Sequence, residues 1–223
     1  MAKIPQRLVE LRKQIPSDVQ LVAVSKFHTP ESILEAYNTG QRIFGESRVQ
    51  ELCEKYEALP KDIQWHFIGP LQRNKVKYIV PFITLIHSVD NEKLFREIVK
   101  QAEKNNRTVE CLLEVKIAQE ETKSGWGLQD AETFVTQYIS DQNAQHHVKI
   151  VGLMGMATLT QDTQQIHQEF ASLGRCYTRL KTLFPNLPLK HLSMGMSQDW
   201  TIALEEGSNM VRIGTAIFGE REY

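Results

Sequence analysis

Hydrophobic positions along this chain switch between two patterns. Ile4, Leu8, Leu11 and Ile15 are spaced by four, three and four, the stripe of an amphipathic helix, and Pro16 ends it. Leu21-Val22-Ala23-Val24-Ser25 is instead an unbroken apolar or small run, the pattern of a strand covered on both faces. It stops at Lys26. Thr29 and Pro30 then suit the cap and first position of a helix.

The same exchange repeats along the chain. Further strands are predicted at 42–45, 64–68, 84–88, 109–116, 148–153, 189–192 and 210–213. Helices are predicted at 30–38, 46–59, 74–80, 91–105 and 199–206, with another through Phe134 and Tyr138 and a long one at 164–184 that Gly174 weakens. Gln119 to Gly125 reads as a polar loop, and His146-His147 as a solvated pair in another. Eight short strands thus alternate with eight helices, without linker, repeat or low-complexity stretch. Alternating βα units force parallel strands, and eight of them close into a barrel. An open doubly wound sheet would carry a glycine-rich phosphate loop after its first strand, and Ser25-Lys26-Phe27-His28 has no glycine. The expected fold class is α/β: a single (β/α)8 TIM barrel over residues 1–223, with an extra N-terminal helix at about 4–15.

Composition narrows the function. With 41% hydrophobic and 24% charged residues the chain is globular. Lys+Arg 26 against Asp+Glu 27 leaves a net charge of -1, so nothing favours nucleic acid or an anionic membrane as partner. No run is long enough to span a bilayer, and Met1-Ala2-Lys3-Ile4-Pro5 lacks an apolar signal core. Cys53, Cys111 and Cys176 form no CxxC pair and read as reduced thiols, which points to the cytoplasm. No metal-ligand spacing occurs, and a monomer is expected.

The chemistry collects at strand ends. In α/β folds that edge carries the site, and a buried lysine there has a lowered pKa and can form a Schiff base with a carbonyl. Taken alone, Lys26 reads first as a solvated strand-end lysine. Two further segments change this. Ser193-Met194-Gly195-Met196-Ser197 follows strand seven, and Gly214-Thr215-Ala216 follows strand eight. Small residues let backbone N–H groups approach an anion, and hydroxyls add donors. Barrels often hold phosphate between these two loops. Closing the barrel brings strand eight beside strand one, so the lysine and the phosphate cradle share one corner. That suits a phosphorylated aldehyde, most simply pyridoxal 5′-phosphate. Arg212, among Met210, Val211 and Ile213, needs a partner: Glu46 or another carboxylate, or the pyridine nitrogen of the cofactor. His66 reads equally as a cofactor contact or a core histidine. Met154 reads as apolar filling or ring packing, and Trp65 as core.

The stretches Leu21–Lys26, Phe44-Gly45-Glu46, Trp65–Gln72, Asn74-Lys75, Lys123-Ser124-Gly125, Gly152-Leu153-Met154, Leu192–Ser197 and Val211–Gly219 together resemble the pyridoxal phosphate homeostasis protein family over nearly the whole chain. The resemblance implies a barrel like the N-terminal domain of alanine racemases, with the cofactor held as an aldimine on Lys26. It implies phosphate contacts from Ser193, Met194 and Ser197 and from Gly214 and Thr215, with Gly195 and Met196 in the same cofactor-binding segment. It places Arg212 at the pyridine nitrogen. Ser47 stands where the family usually has asparagine, at a position expected to contact the cofactor.

An amino-acid racemase needs two acid/base groups, one on each face of its substrate. In alanine racemases the second is a tyrosine from a further β-domain, for which a chain ending at Tyr223 leaves no room. None of Tyr37, Tyr56, Tyr78, Tyr138 or Tyr177 follows a rim motif. The expected function is pyridoxal phosphate binding in vitamin B6 homeostasis, with delivery to apo-enzymes and no turnover. The alternatives are a racemase or decarboxylase that borrows an acid from His66 or another subunit, and a Schiff-base lysine aldolase.

Overall fold

The apolar runs become eight parallel strands that pair in chain order and close on themselves in a computed structural model, which describes residues 3–120 and 124–219. The strands are β1 (Gln20–Val24), β2 (Ile43–Glu46), β3 (Gln64–Phe67), β4 (Leu85–Val89), β5 (Val109–Glu114), β6 (Val148–Met154), β7 (His191–Ser193) and β8 (Met210–Ile213). Helix α1 (Ile4–Gln14) precedes them. Around the barrel lie α2 (Pro30–Asn38), α3 (Val49–Ala58), α4 (Val76–Ile79) after a 3-10 turn at Arg73–Lys75, α5 (Glu92–Lys104), α6 (Leu128–Tyr138), α7 (Gln142–His147), α8 (Thr163–Leu183), α9 (Trp200–Glu205) and α10 (Thr215–Phe218).

The core has two layers because strand side chains alternate. Val22, Leu85, Leu112, Val151, Met154 and Met210 fill the barrel interior. Their sequence neighbours, including Leu21, Ala23, Ile86, Leu113, Leu153 and Val211, pack outward in the larger cluster that also holds the helix faces. Met154 is therefore apolar filling of the barrel, and Trp65 belongs to the outer core. Registers of Leu21 with Val211, Val22 with Arg212 and Ala23 with Ile213 close the barrel between β1 and β8.

Two expectations need correction. Strand β5 stops at Glu114, and Val115 instead bridges Trp126. His146 and His147 lie on α7, not in a loop: six mostly polar residues show no apolar stripe, but Asp141 caps them by accepting from the Ala144 N–H at 2.9 Å. The long helix expected at 164–184 is α8, which runs unbroken for 21 residues with Gly174 inside it. A Cβ there would stand 3.1 Å from the Glu206 carbonyl, so the glycine permits close packing beside the end of α9. Lys123 and Tyr223 lie outside the described residues. Among the described residues no helix is long and apolar enough to cross a membrane.

Candidate functional site

Lys26 stands one residue past Ser25, at the C-terminal mouth of the barrel, half-buried in the turn between β1 and α2. The turn is unusual. Phe27 has φ 67°, a conformation that a bulky side chain rarely adopts. Its N–H donates to Glu51 Oε1 at 2.6 Å, and the Arg48 guanidinium lies 4.6 Å over its ring. The His28 ring stacks on Phe218 of α10 at 4.7 Å, which ties this turn to the end of β8.

The two glycine-containing loops meet beside it. Gly214 N–H donates to Ser197 Oγ at 3.4 Å, and Arg212 N–H donates to the Gly195 carbonyl at 3.0 Å. Gly195 has φ +89°, and a Cβ there would lie 2.7 Å from the Ala203 Cβ and 2.8 Å from the Trp200 Cα, so only glycine lets the loop lie this close to α9. Gly214 packs on β1: a Cβ there would stand 3.1 Å from the Val24 carbonyl oxygen, two residues before Lys26. Asp199 Oδ1 accepts from the Met196 N–H at 2.6 Å and closes the first loop on itself.

Predicted residues separate into two groups. Gly195, Met196, Ser197, Gly214 and Thr215 lie on the loops, with Thr215 exposed at the start of α10. Ser193 and Met194 do not join them. Met194 packs in the outer core and its N–H donates to the Met210 carbonyl at 3.2 Å. Ser193 is the last residue of β7, and alternation turns its side chain into the barrel, where it meets Arg212 and His87. Ser47 is half-buried between β2 and α3, where Gly69 packs against its backbone.

Arg212 is buried, and the carboxylate partner expected for it is not Glu46. Its Nη1 donates to the Ser193 carbonyl and hydroxyl at 2.8 and 2.6 Å, and its Nη2 to the Gly155 carbonyl at 3.0 Å. Burial draws its pKa down to about 10, so it stays charged at neutral pH. Beyond Ser193 the network continues to His87 Nδ1 at 3.2 Å, and from His87 Nε2 to His66 Nδ1 at 3.1 Å. Arginine only donates, so the Ser193 hydroxyl accepts from it and has its own proton to give to His87 Nδ1. In the tautomer that takes this proton, His87 Nε2–H donates to His66 Nδ1. Both rings are buried and neutral: desolvation first, and for His87 also the neighbouring His66 and Arg212, hold them below the usual range, His66 at about 3. His87 escaped the sequence reading, although a histidine inside Leu85-Ile86-His87 is the same signal as Arg212 inside β8.

A second buried cluster also escaped it. Glu46 Oε1 accepts from Ser25 Oγ at 2.6 Å and from Lys55 Nζ at 2.7 Å. Lys55 donates as well to the Ser25 carbonyl at 2.8 Å and to Glu51 Oε1 at 2.6 Å.

The donor set fits a phosphorylated ring. Hydroxyls and small residues line two joined loops, their one aspartate is tied to its own backbone, an amine stands on the adjacent strand end, and a fixed guanidinium lies lower in the barrel.

The family model described as the N-terminal domain of alanine racemase matches residues 1–222. A pyridoxal phosphate homeostasis protein of Aquifex aeolicus (strain VF5) is 43% identical over 92% of this chain and 88% of its own. One of Vibrio alginolyticus is 36% identical over the full length of both. The solved structure of PipY from Synechococcus elongatus PCC7942 with PLP bound is 38% identical, covers 97% of this chain and 100% of its own, and superposes with a TM-score of 0.87. An alanine racemase of Clostridium difficile 630 is 11% identical with a TM-score of 0.77, covers 99% of this chain and 56% of its own, and shares the fold alone.

Proposed function

The chain belongs to the alanine racemase N-terminal domain family and, within it, to the pyridoxal phosphate homeostasis proteins, and from that premise we propose that it binds pyridoxal 5′-phosphate at the barrel mouth, with Lys26 as covalent anchor. One observation carries the siting: Gly214, on the loop joined to Ser197, packs against Val24, two residues before Lys26. PipY, 38% identical, holds PLP on this fold.

Ser197, Thr215 and the backbone N–H groups around Gly195 and Gly214 would hold the phosphate, with Met196 at the edge of the same loop. Arg212 would face the pyridine nitrogen. Ser193 serves the site by fixing Arg212, and Ser47 borders it from β2. His66 supports the site from inside the barrel and Met154 fills the floor. When bound, the cofactor supplies an aldehyde, to which a lysine amine adds with loss of one water as the C=N bond forms.

A permanent charge opposite the pyridine nitrogen leaves that nitrogen unprotonated and the ring a poor electron sink. His66, neutral throughout the physiological range, holds no proton to spare as an acid. The five described tyrosines sit on α2, α3, α4, α6 and α8, none on the loops after β1, β7 or β8. These features support a carrier that serves vitamin B6 homeostasis and passes the cofactor to apo-enzymes without turning over substrate. The free thiols Cys53, Cys111 and Cys176 support a reducing, cytoplasmic setting, and we take the acting form to be a monomer.

Borohydride reduction of the loaded protein followed by peptide mass spectrometry tests the anchor. A pyridoxyl adduct on Lys26, and loss of the yellow colour in Lys26→Ala, are expected. An adduct on Lys75 or another lysine, with Lys26 unmodified, would overturn the reading.

A further inference from the structure

Lys55 lies on α3, outside the barrel, yet the turn that carries Lys26 hangs from it. We propose that Lys55 is a positioning residue that sets the backbone of Lys26 through Ser25 on one side and Phe27 on the other; this rests on Lys26 being the anchor. The two neighbours of Lys26 are held by one buried ammonium group. On the first side, Lys55 Nζ donates to the Ser25 carbonyl at 2.8 Å, and the Ser25 hydroxyl donates to Glu46 Oε1, itself bound to Lys55 at 2.7 Å. On the second side, the Phe27 N–H donates to Glu51 Oε1, which Lys55 holds at 2.6 Å. Three ammonium protons meet three acceptors, so the group is saturated in place.

The geometry implies a task beyond charge balance. Phe27 at φ 67° is held in a backbone conformation that its side chain disfavours, and the Glu51 bond to its N–H is a contact that opposes relaxation. The Ser25 carbonyl closes the same turn by accepting from the His28 N–H at 3.0 Å. Releasing Lys55 would take one donor from the Ser25 carbonyl and the counter-ion from Glu51, loosening both sides of Lys26. Glu46 strengthens the case: it is fully buried, its Oε2 has no hydrogen bond, and burial pushes its carboxyl up while Lys55 and the Ser25 hydroxyl oppose that rise. These bonds run among β1, β2 and α3, whereas the phosphate loops follow β7 and β8.

That separation supplies the test. Pyridoxine 5′-phosphate carries the phosphate and ring but an alcohol in place of the aldehyde, so it can use the loops and not Lys26. Lys55→Met and, independently, Glu51→Met, which takes the acceptor away from the Phe27 N–H, are compared with wild type. Both variants are expected to slow formation of the borohydride-trapped Lys26 link and to weaken pyridoxal phosphate binding by roughly ten- to a hundredfold, the effect of misplacing a reacting group. Affinity for pyridoxine 5′-phosphate should stay within about twofold, less than half a kcal/mol. Equal losses for both ligands would show that Lys55 acts only through folding, and unchanged trapping in both variants would show that the turn holds without it; either overturns the proposal. A wild-type adduct away from Lys26 would instead overturn the anchor on which it rests.

Discussion

Arg212 donates twice to Ser193, to its hydroxyl at 2.6 Å and to its carbonyl at 2.8 Å. A residue that ends β7 thereby fixes a guanidinium on β8. The hydroxyl is fixed in turn by His87, and His87 by His66, so one directed hydrogen-bond chain links β3, β4, β7 and β8 through the barrel. Such a network holds a charge still in a low-dielectric interior, where a mobile one would cost more.

Arg212→Gln removes that charge. The buried carbonyls of Ser193 and Gly155 lose their donor, at about 1–3 kcal/mol. On the proposed placement of Arg212 opposite the pyridine nitrogen, losing the fixed cation lets that nitrogen of bound pyridoxal phosphate protonate. The expected result is a lower unfolding midpoint together with a changed visible spectrum of the loaded protein. A folded variant with the wild-type spectrum would remove Arg212 from the cofactor.

Thr215→Ala tests the cradle. The exposed hydroxyl at the start of α10 is one donor among several, and a hydrogen bond to a charged group contributes about 1.5–3 kcal/mol. Affinity for pyridoxal phosphate should fall by roughly ten- to a hundredfold. Binding of pyridoxal, which lacks the phosphate, should hardly change. Parallel losses measured by titration would mean that Thr215 supports the loop and not the phosphate.

Much of this was legible in the sequence because it rests on local pattern. Unbroken apolar runs gave the covered strands, their alternation with helix-patterned stretches gave the parallel arrangement, and Arg212 stood out as a charge among apolar neighbours. What stayed hidden depends on how elements meet. Lys55, in Glu54-Lys55-Tyr56, reads as an ordinary solvated helix lysine, and only the packing of α3 over β1 and β2 buries it. Ser193 and Ser197 belong to one small-residue segment, and the end of β7 falls between them. Ser193 therefore obeys strand alternation and turns inward, while Ser197 lies on the loop. A strand boundary shifted by one residue decides which serine turns into the barrel and which lies on the loop.

The buried histidine pair makes stability depend on pH in a defined direction. In the native protein His66 and His87 are neutral, His66 titrating only at about 3, whereas in the unfolded chain each titrates near the ordinary value of about 6.5. Below about 6.5 the unfolded state therefore binds protons that the native state refuses, so stability rises with pH across this window and is lost on acidification. Each neutral histidine contributes a slope of up to about 1.4 kcal/mol per pH unit, until the native ring also protonates. Urea unfolding between about pH 7 and 4.5 should show a steep loss for wild type and a shallower one for His66→Gln combined with His87→Gln, since glutamine keeps hydrogen-bonding groups but does not titrate. The difference between the two curves isolates the pair from the carboxylates, which are common to both. Parallel curves would mean that the two rings accept protons inside the folded barrel, and the directed chain from Arg212 to His66 would then be wrong.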